Sequence, residues 1–161
     1  MSVAGGVSTA VDRALIHGCE ALQIFSKNAS RWQAPPLARS EIREFRRRVD
    51  AAGITPVVAH ASYLINLATP SAALRDLSIA ALIDELDRAH ALGLLGVVLH
   101  PGTCSDGTVD DALRLVAGAV RQAFKARPRR RTMVLFEHTA GQGRTIGHRF
   151  EQLAAILGQL D

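Results

Sequence analysis

Three short apolar runs each end in a side chain able to bind a metal, and the ends are almost evenly spaced. Thr55-Pro56-Val57-Val58-Ala59 leads into His60, Gly96-Val97-Val98-Leu99 into His100, and Thr132-Met133-Val134-Leu135-Phe136 into Glu137. His100 follows His60 by 40 residues and Glu137 follows His100 by 37, one strand–helix unit each time. Runs of this length, separated by amphipathic helical segments, read as buried parallel strands joined by right-handed crossovers. In such a sheet all strand C-termini open on one face, where active sites lie. The period therefore predicts two imidazoles and a carboxylate on one rim, a zinc donor set with a position left open. Zinc so held acidifies water and polarises a phosphoryl or carbonyl oxygen. A lone His at a strand end is more often a hydrogen-bonded structural group; the shared period and face set these three apart. His17 and His90 fall near helix C-termini, where a cation suits the dipole. His148 opens the last predicted helix, and His138 adjoins Glu137 on a strand position that faces elsewhere.

Apolar spacing predicts helices over 6–17, 40–53, 70–92, 106–126 and 148–160, with Ser40 as a cap, and strands over 21–25, 54–59, 96–99 and 132–136. The fold class is α/β, with about four parallel strands and five helices. Eight units of roughly 35 residues make a closed (β/α)8 barrel of about 250 residues or more. The 161 residues supply about half of that and begin with a helix. The expectation at this point is one domain over 1–161, a piece of a parallel barrel or of a doubly wound sheet.

With one Trp, one Tyr and five Phe, the core must be filled by Ala, Leu, Val and Ile. No apolar run reaches the roughly 18 to 20 residues that span a bilayer, so no membrane association is expected. The first residues lack a secretion-signal pattern, and Cys19 and Cys104 are too few for a disulfide framework. A cytoplasmic location is the expectation. The net charge of +4 permits a polyanionic partner without demanding one.

Arg46-Arg47-Arg48, and Arg127 with Arg129-Arg130-Arg131, stand at helix C-termini, at the opposite end of the sheet from His60, His100 and Glu137. Helix-dipole complementation and solubility account for them better than nucleic-acid binding. Lys27, Arg31 and Arg144 instead lie in loops after strands, where cations can neutralise phosphates. Tyr63 and Leu64, beside His60, have the character of a wedge between bases, against a plain packing role. Trp32 reads as a packing residue. Gly5-Gly6 and Gly141-Gln142-Gly143 lack the residues of a Walker or dinucleotide loop and read as tight turns.

His60-Ala61-Ser62-Tyr63-Leu64-Ile65-Asn66-Leu67-Ala68 resembles a signature segment of the endonuclease IV family of apurinic/apyrimidinic (AP) endonucleases. In family order stand Ser2-Val3-Ala4-Gly5-Gly6, Phe25-Ser26-Lys27-Asn28 with Trp32, His100-Pro101-Gly102, and Glu137 with Thr139-Ala140-Gly141-Gln142-Gly143. The resemblance implies a TIM barrel with three zinc ions (Zn2+), of which 1–161 would be a single partial-barrel domain lacking the first strand and the C-terminal half. Such a protein is an endodeoxyribonuclease of base excision repair that hydrolyses DNA 5′ of abasic sites through a metal-bound hydroxide. His60 and His100 match terminal ligands of one zinc, and Glu137 matches the carboxylate that bridges it to a second. Tyr63 and Leu64 match residues that enter the helix at the lesion, and Lys27, Asn28 and Arg31 fall in a DNA-contacting loop. The sequence departs from the family at Ser30, near a position that often carries Arg, and at His138, usually Asn. It has ligands for one zinc and lacks the later Asp, His and Glu ligands, so the isolated chain is expected to be inactive. No obligate protein partner is implied. The alternatives are a metal-dependent sugar-phosphate isomerase or epimerase on a related barrel, and an inactive DNA-binding fragment.

Overall fold

The computed structural model describes residues 1–127 and 131–160. In chain order the elements are α1 (Thr9–Ile16), β1 (Leu22–Phe25), α2 (Arg39–Ala52), β2 (Val57–His60) and α3 (Ala72–Leu92). They continue with β3 (Gly96–Leu99), α4 (Val109–Lys125), β4 (Met133–Phe136) and α5 (Phe150–Leu157). The sheet order is β1-β2-β3-β4, parallel throughout. This is the α/β architecture read from the sequence.

Register places the strand ends side by side. Phe25 pairs with His60, His60 with Val98, and Leu99 with Phe136. Each apolar run is so short that its C-terminal residue is already at the rim. Val97 and Leu99 of β3 are fully buried, whereas β4 is partly exposed along its length, with Met133 at 42%. The core joins the strands to Phe45 of α2, Leu82 and Leu86 of α3, and Val116 and Val120 of α4, all at most 1% exposed. Truncating one of these leucines to Ala would cost roughly 2–5 kcal/mol.

Helix ends follow local chemistry. The Ser71 and Thr108 side chains accept the Leu74 and Asp111 N–H groups and cap α3 and α4. Ser40 does not cap α2: the helix starts at Arg39, after Ala38, with no side-chain cap. The first and last helices are shorter than the apolar spacing predicts, starting at Thr9 and Phe150. The stretches before them are Gly-containing turns rather than first helical turns. No described helix is long and apolar enough to cross a membrane.

Arg46, Arg47, Arg48 and Arg127 are held by pairing more than by helix dipoles. Arg47 and Arg48 both bind Glu44, and their hydrogen bonds bring its carboxyl down to about 2. Arg48 also pairs with Asp12 of α1, while Arg46 donates to the His90 carbonyl near the end of α3, at 3.1 Å. Arg127 departs from expectation. It is buried, not solvated, and donates to Asp87 Oδ1 and the Leu86 carbonyl, each at 2.8 Å, tying the end of α4 to α3. Arg129 and Arg130 lie outside the described residues, and Arg131 is exposed.

Candidate metal centre and its flanking loops

His60 is the last residue of β2, and His100 and Glu137 directly follow β3 and β4. Neighbouring strands are about 4.8 Å apart, so the three side chains meet across three adjacent strand ends. Their ligand atoms all lie within 4.8 Å of one another. His60 Nε2 and His100 Nε2 are each 2.9 Å from Glu137 Oε2. The His60 side chain is 7% exposed, against 46% for His100 and 44% for Glu137, so the cluster is walled on one side and open on the other.

The hydrogen bonds fix the chemistry. His60 Nδ1 lies 2.8 Å from the Ala61 carbonyl, which can only accept, so Nδ1 carries a proton. In a neutral ring, Nε2 then turns a lone pair toward a carboxylate oxygen. Two lone-pair bearers at that distance hold together only around a positive centre, a proton or a metal ion. Burial pushes the Glu137 carboxyl up, but hydrogen bonds and charge from His60 and His100 outweigh it and hold it below its ordinary value. Two imidazoles, one oriented by a carbonyl, and a carboxylate fit a zinc ion with an open side.

Tyr63 stands over this cluster, 64% exposed. Its ring centroid is 5.3 Å from that of His60, 5.5 Å from Phe25 and 6.2 Å from His100. Its base is fixed, because Tyr63 N–H and Ser62 Oγ–H both donate to the Ala29 carbonyl in the loop after β1, at 3.1 and 2.7 Å. Leu64 beside it is half-buried. A cavity of about 220 Å³ lies against His60, Tyr63, Asn66, His100 and Thr103.

Asn28 and Arg31 are exposed in the loop after β1, and Asn28 Oδ1 accepts the Ser30 N–H at 2.9 Å in a local turn. Trp32 packs partly buried against the core, as read from the sequence. Lys27 corrects the sequence reading. Its side chain is 1% exposed, with Nζ 2.5 Å from Asp84 Oδ2, 3.6 Å from Glu85 Oε1 and 3.1 Å from the Trp32 carbonyl. It faces α3 and is not presented to a phosphate. Arg144 is exposed; His138 is exposed as well and stacks on Phe150 at 4.9 Å, away from the cluster.

Sequence reasoning assigned no role to Ser26, quoted only within a motif, or to Glu85 and Arg88, which form with it a buried polar group behind these loops. One signal was present: Glu85 falls on the same helical stripe as Leu82, Leu86 and Ala89, a position where a carboxylate needs a buried partner.

Residues 11–161 match the family described as xylose isomerase-like TIM barrel, and the chain belongs to that family. Within it, the resemblance to endonuclease IV holds over almost the whole chain. A protein named probable endonuclease 4 from Geobacter sp. (strain M21) is 38% identical over 157 residues, covering 98% of this chain and 56% of that protein. Another, from Chloroflexus aurantiacus (strain ATCC 29366 / DSM 635 / J-10-fl), is 43% identical over 156 residues, covering 97% and 55%. The crystal structure of endonuclease IV from Thermus thermophilus superposes with a TM-score of 0.86 at 38% identity, covering 98% and 56%. A D-psicose 3-epimerase from Clostridium cellulolyticum H10 reaches a TM-score of 0.73 at 17% identity, a likeness of fold alone. The chain spans about half the length of the curated relatives it matches.

Proposed function

We propose that residues 1–161 form a partial-barrel domain carrying the zinc-binding and lesion-reading half of an AP endonuclease of the endonuclease IV type. Its substrate is DNA with an abasic site, and its reaction class is phosphodiester hydrolysis. The observation that carries this reading is the convergence of His60 Nε2, His100 Nε2 and Glu137 Oε2 directly beneath an exposed Tyr63.

A zinc ion held there supplies Lewis acidity toward a phosphoryl oxygen and lowers the pKa of water. The chain's own groups do the rest. The Ala61 carbonyl fixes the tautomer of His60, so that its Nε2 lone pair would be free to hold an ion. Glu137 Oε2 lies 2.9 Å from both imidazole Nε2 atoms, so this carboxylate would hold a zinc ion together with them, and the family resemblance would have it shared with a second ion. Tyr63 and Leu64 present an apolar edge to the gap left by a missing base. Asn28 and Arg31 flank that edge on the neighbouring loop, where they meet the sugar–phosphate backbone. The family resemblance implies three zinc ions, and the described residues hold ligands for one. The sugar isomerase reading has fold likeness alone behind it and gives Tyr63 no task.

The test is binding of the zinc-loaded chain to two duplexes, one with a single stable abasic analogue and one intact. Tighter binding to the abasic duplex, lost on chelation, supports the proposal. Absence of zinc binding, or equal affinity for the two duplexes, overturns it.

A further inference from the structure

Asn66 stands past Tyr63 on the loop after β2, and its amide reaches the loop after β3. Asn66 Nδ2 donates to the Thr103 carbonyl at 3.2 Å, and Asn66 Oδ1 accepts the Thr103 N–H at 3.0 Å. The pair reproduces both bonds of a β-bridge with a side chain in place of a strand. The same Oδ1 accepts the Ala68 N–H at 3.1 Å, and the Asn66 N–H donates to Ser78 Oγ on α3 at 3.1 Å. A reversed amide would set Nδ2 against two N–H donors, so the orientation is determined.

The loop after β3 is shaped to receive this amide. Gly102 has a φ of +129°, and a Cβ there would lie 2.3 Å from Asn66 Oδ1. Only glycine lets the two loops approach this closely. Beyond it, Thr103 forms an antiparallel bridge with Thr145, and the Ile146 N–H donates to the Gly102 carbonyl at 3.0 Å. The loops that follow the three ligand-bearing strand ends are thereby joined.

The ligands depend on this junction unequally. His60 is buried and held at Nδ1 by its neighbour's carbonyl. The His100 side chain is 46% exposed, and among the described residues its only side-chain hydrogen bond is to Glu137. Apart from ring contacts with His60 and Tyr63 at 5.2 and 6.2 Å, its place is set by its backbone, which enters the Gly102–Thr103 turn through Pro101.

We propose that Asn66 is a positioning residue for the metal centre, clamping the Thr103 backbone so that His100 stays at ligand distance from His60 and Glu137. The inference rests on the zinc reading above. Groups that orient metal ligands from outside the coordination sphere typically change affinity by roughly 10- to 100-fold when removed. Asn66→Ala should weaken Zn2+ binding by that order while His60 and Glu137 remain.

The experiment titrates Zn2+ against a chromophoric chelator in the full chain. It also records the visible absorption of the Co2+ form, whose bands report the number of ligands. Support is a roughly 10- to 100-fold weaker Zn2+ affinity in Asn66→Ala with altered Co2+ bands, while the metal-free protein keeps a cooperative melting transition. Asn66→Asp keeps the acceptor for Thr103 and Ala68 but loses the donor; its affinity should fall between the two, and it carries the measurement if the Ala variant does not fold. Parent-like zinc affinity and Co2+ bands in the folded variants overturn the clamp, whether or not their melting shifts. A parent chain that binds no zinc overturns this inference and the proposed function together; a parent that binds while the variants match it overturns the clamp alone.

Discussion

Glu85 on α3 accepts the backbone N–H of Ser62 at 3.2 Å, so a buried carboxylate holds the loop that presents Tyr63. Lys27 Nζ is 3.6 Å from that same oxygen, and the other oxygen accepts the Ser26 hydroxyl at 2.6 Å. Arg88, one turn on, donates to the Ser26 and Pro35 carbonyls at 2.7 and 2.9 Å. The loops after β1 and β2 are thus fastened to one helix from behind.

Glu85→Ala removes an anion from beside a buried cation and leaves the Ser62 N–H without its acceptor. Lys27 keeps Asp84 at 2.5 Å, so the cost comes mainly from the Ser62 N–H and Ser26 O–H left without an acceptor, roughly 1–3 kcal/mol. Urea denaturation of parent and variant should show a loss of that order at unchanged slope. A loss below about 1 kcal/mol would show that the loops are held by other contacts.

The same residue gives a pH dependence. Burial pushes the Glu85 carboxyl up, against the pull of Ser26, Lys27 and Ser62. The folded chain then binds more protons than the unfolded one in the window above the ordinary value of 4.5. The stabilisation linked to that proton is fully present below this value and is lost as pH rises through the raised folded value. Glu85→Gln cannot titrate, so its stability relative to the parent should improve as pH rises from about 4 to about 8. Denaturation midpoints of both proteins across that range check the sign; a constant or widening deficit of the variant contradicts the raised carboxyl.

What the sequence made legible, and what it did not, divides along a physical line. His60, His100 and Glu137 were readable because the parallel register repeats one strand–helix unit and always ends it on the same rim. The helices were readable because helical spacing puts Phe45, Leu82 and Val116 on the buried stripes of α2, α3 and α4. Lys27 was misread because its partner Asp84 lies 57 residues away; a cation in a loop looks the same whether it faces a phosphate or a helix. Glu85 with Ser62, and Asn66 with Thr103, join residues on different elements through one and two hydrogen bonds, which leave no period in the chain. Ser40 failed as a cap because the extended backbone that precedes α2 is centred on Ala38.

Zinc should stabilise the chain measurably. A ligand that binds only the folded state adds about 2.7 kcal/mol at a free concentration of 100 times its Kd. The melting temperature should rise with added Zn2+ and return on chelation. Glu137→Gln should cut most of the rise and His60→Ala nearly all of it, because His60 is the walled-in ligand. An equal rise in parent and variants would place the zinc elsewhere.

Tyr63 is the residue whose loss should separate reading of the lesion from binding of the metal. Its ring is exposed over the cluster, while its backbone is fixed to the Ala29 carbonyl and does not depend on the side chain. Stacking of a base on an aromatic ring is worth roughly 1–3 kcal/mol, and a ring that fills the gap at a missing base falls in the same range. Tyr63→Ala should therefore weaken binding to the abasic duplex by about 10-fold or more. Affinity for the intact duplex, dominated by phosphate contacts, should change little. Zinc affinity should hold, because His60 keeps its Ala61 bond and its burial. Leu64→Ala, from a half-buried position, should lower the same preference by less. Parallel titrations of both duplexes and of Zn2+ against each variant make the separation visible. Equal weakening on the two duplexes would assign Tyr63 to general DNA contact, and a loss of zinc affinity would assign its ring to packing on His60.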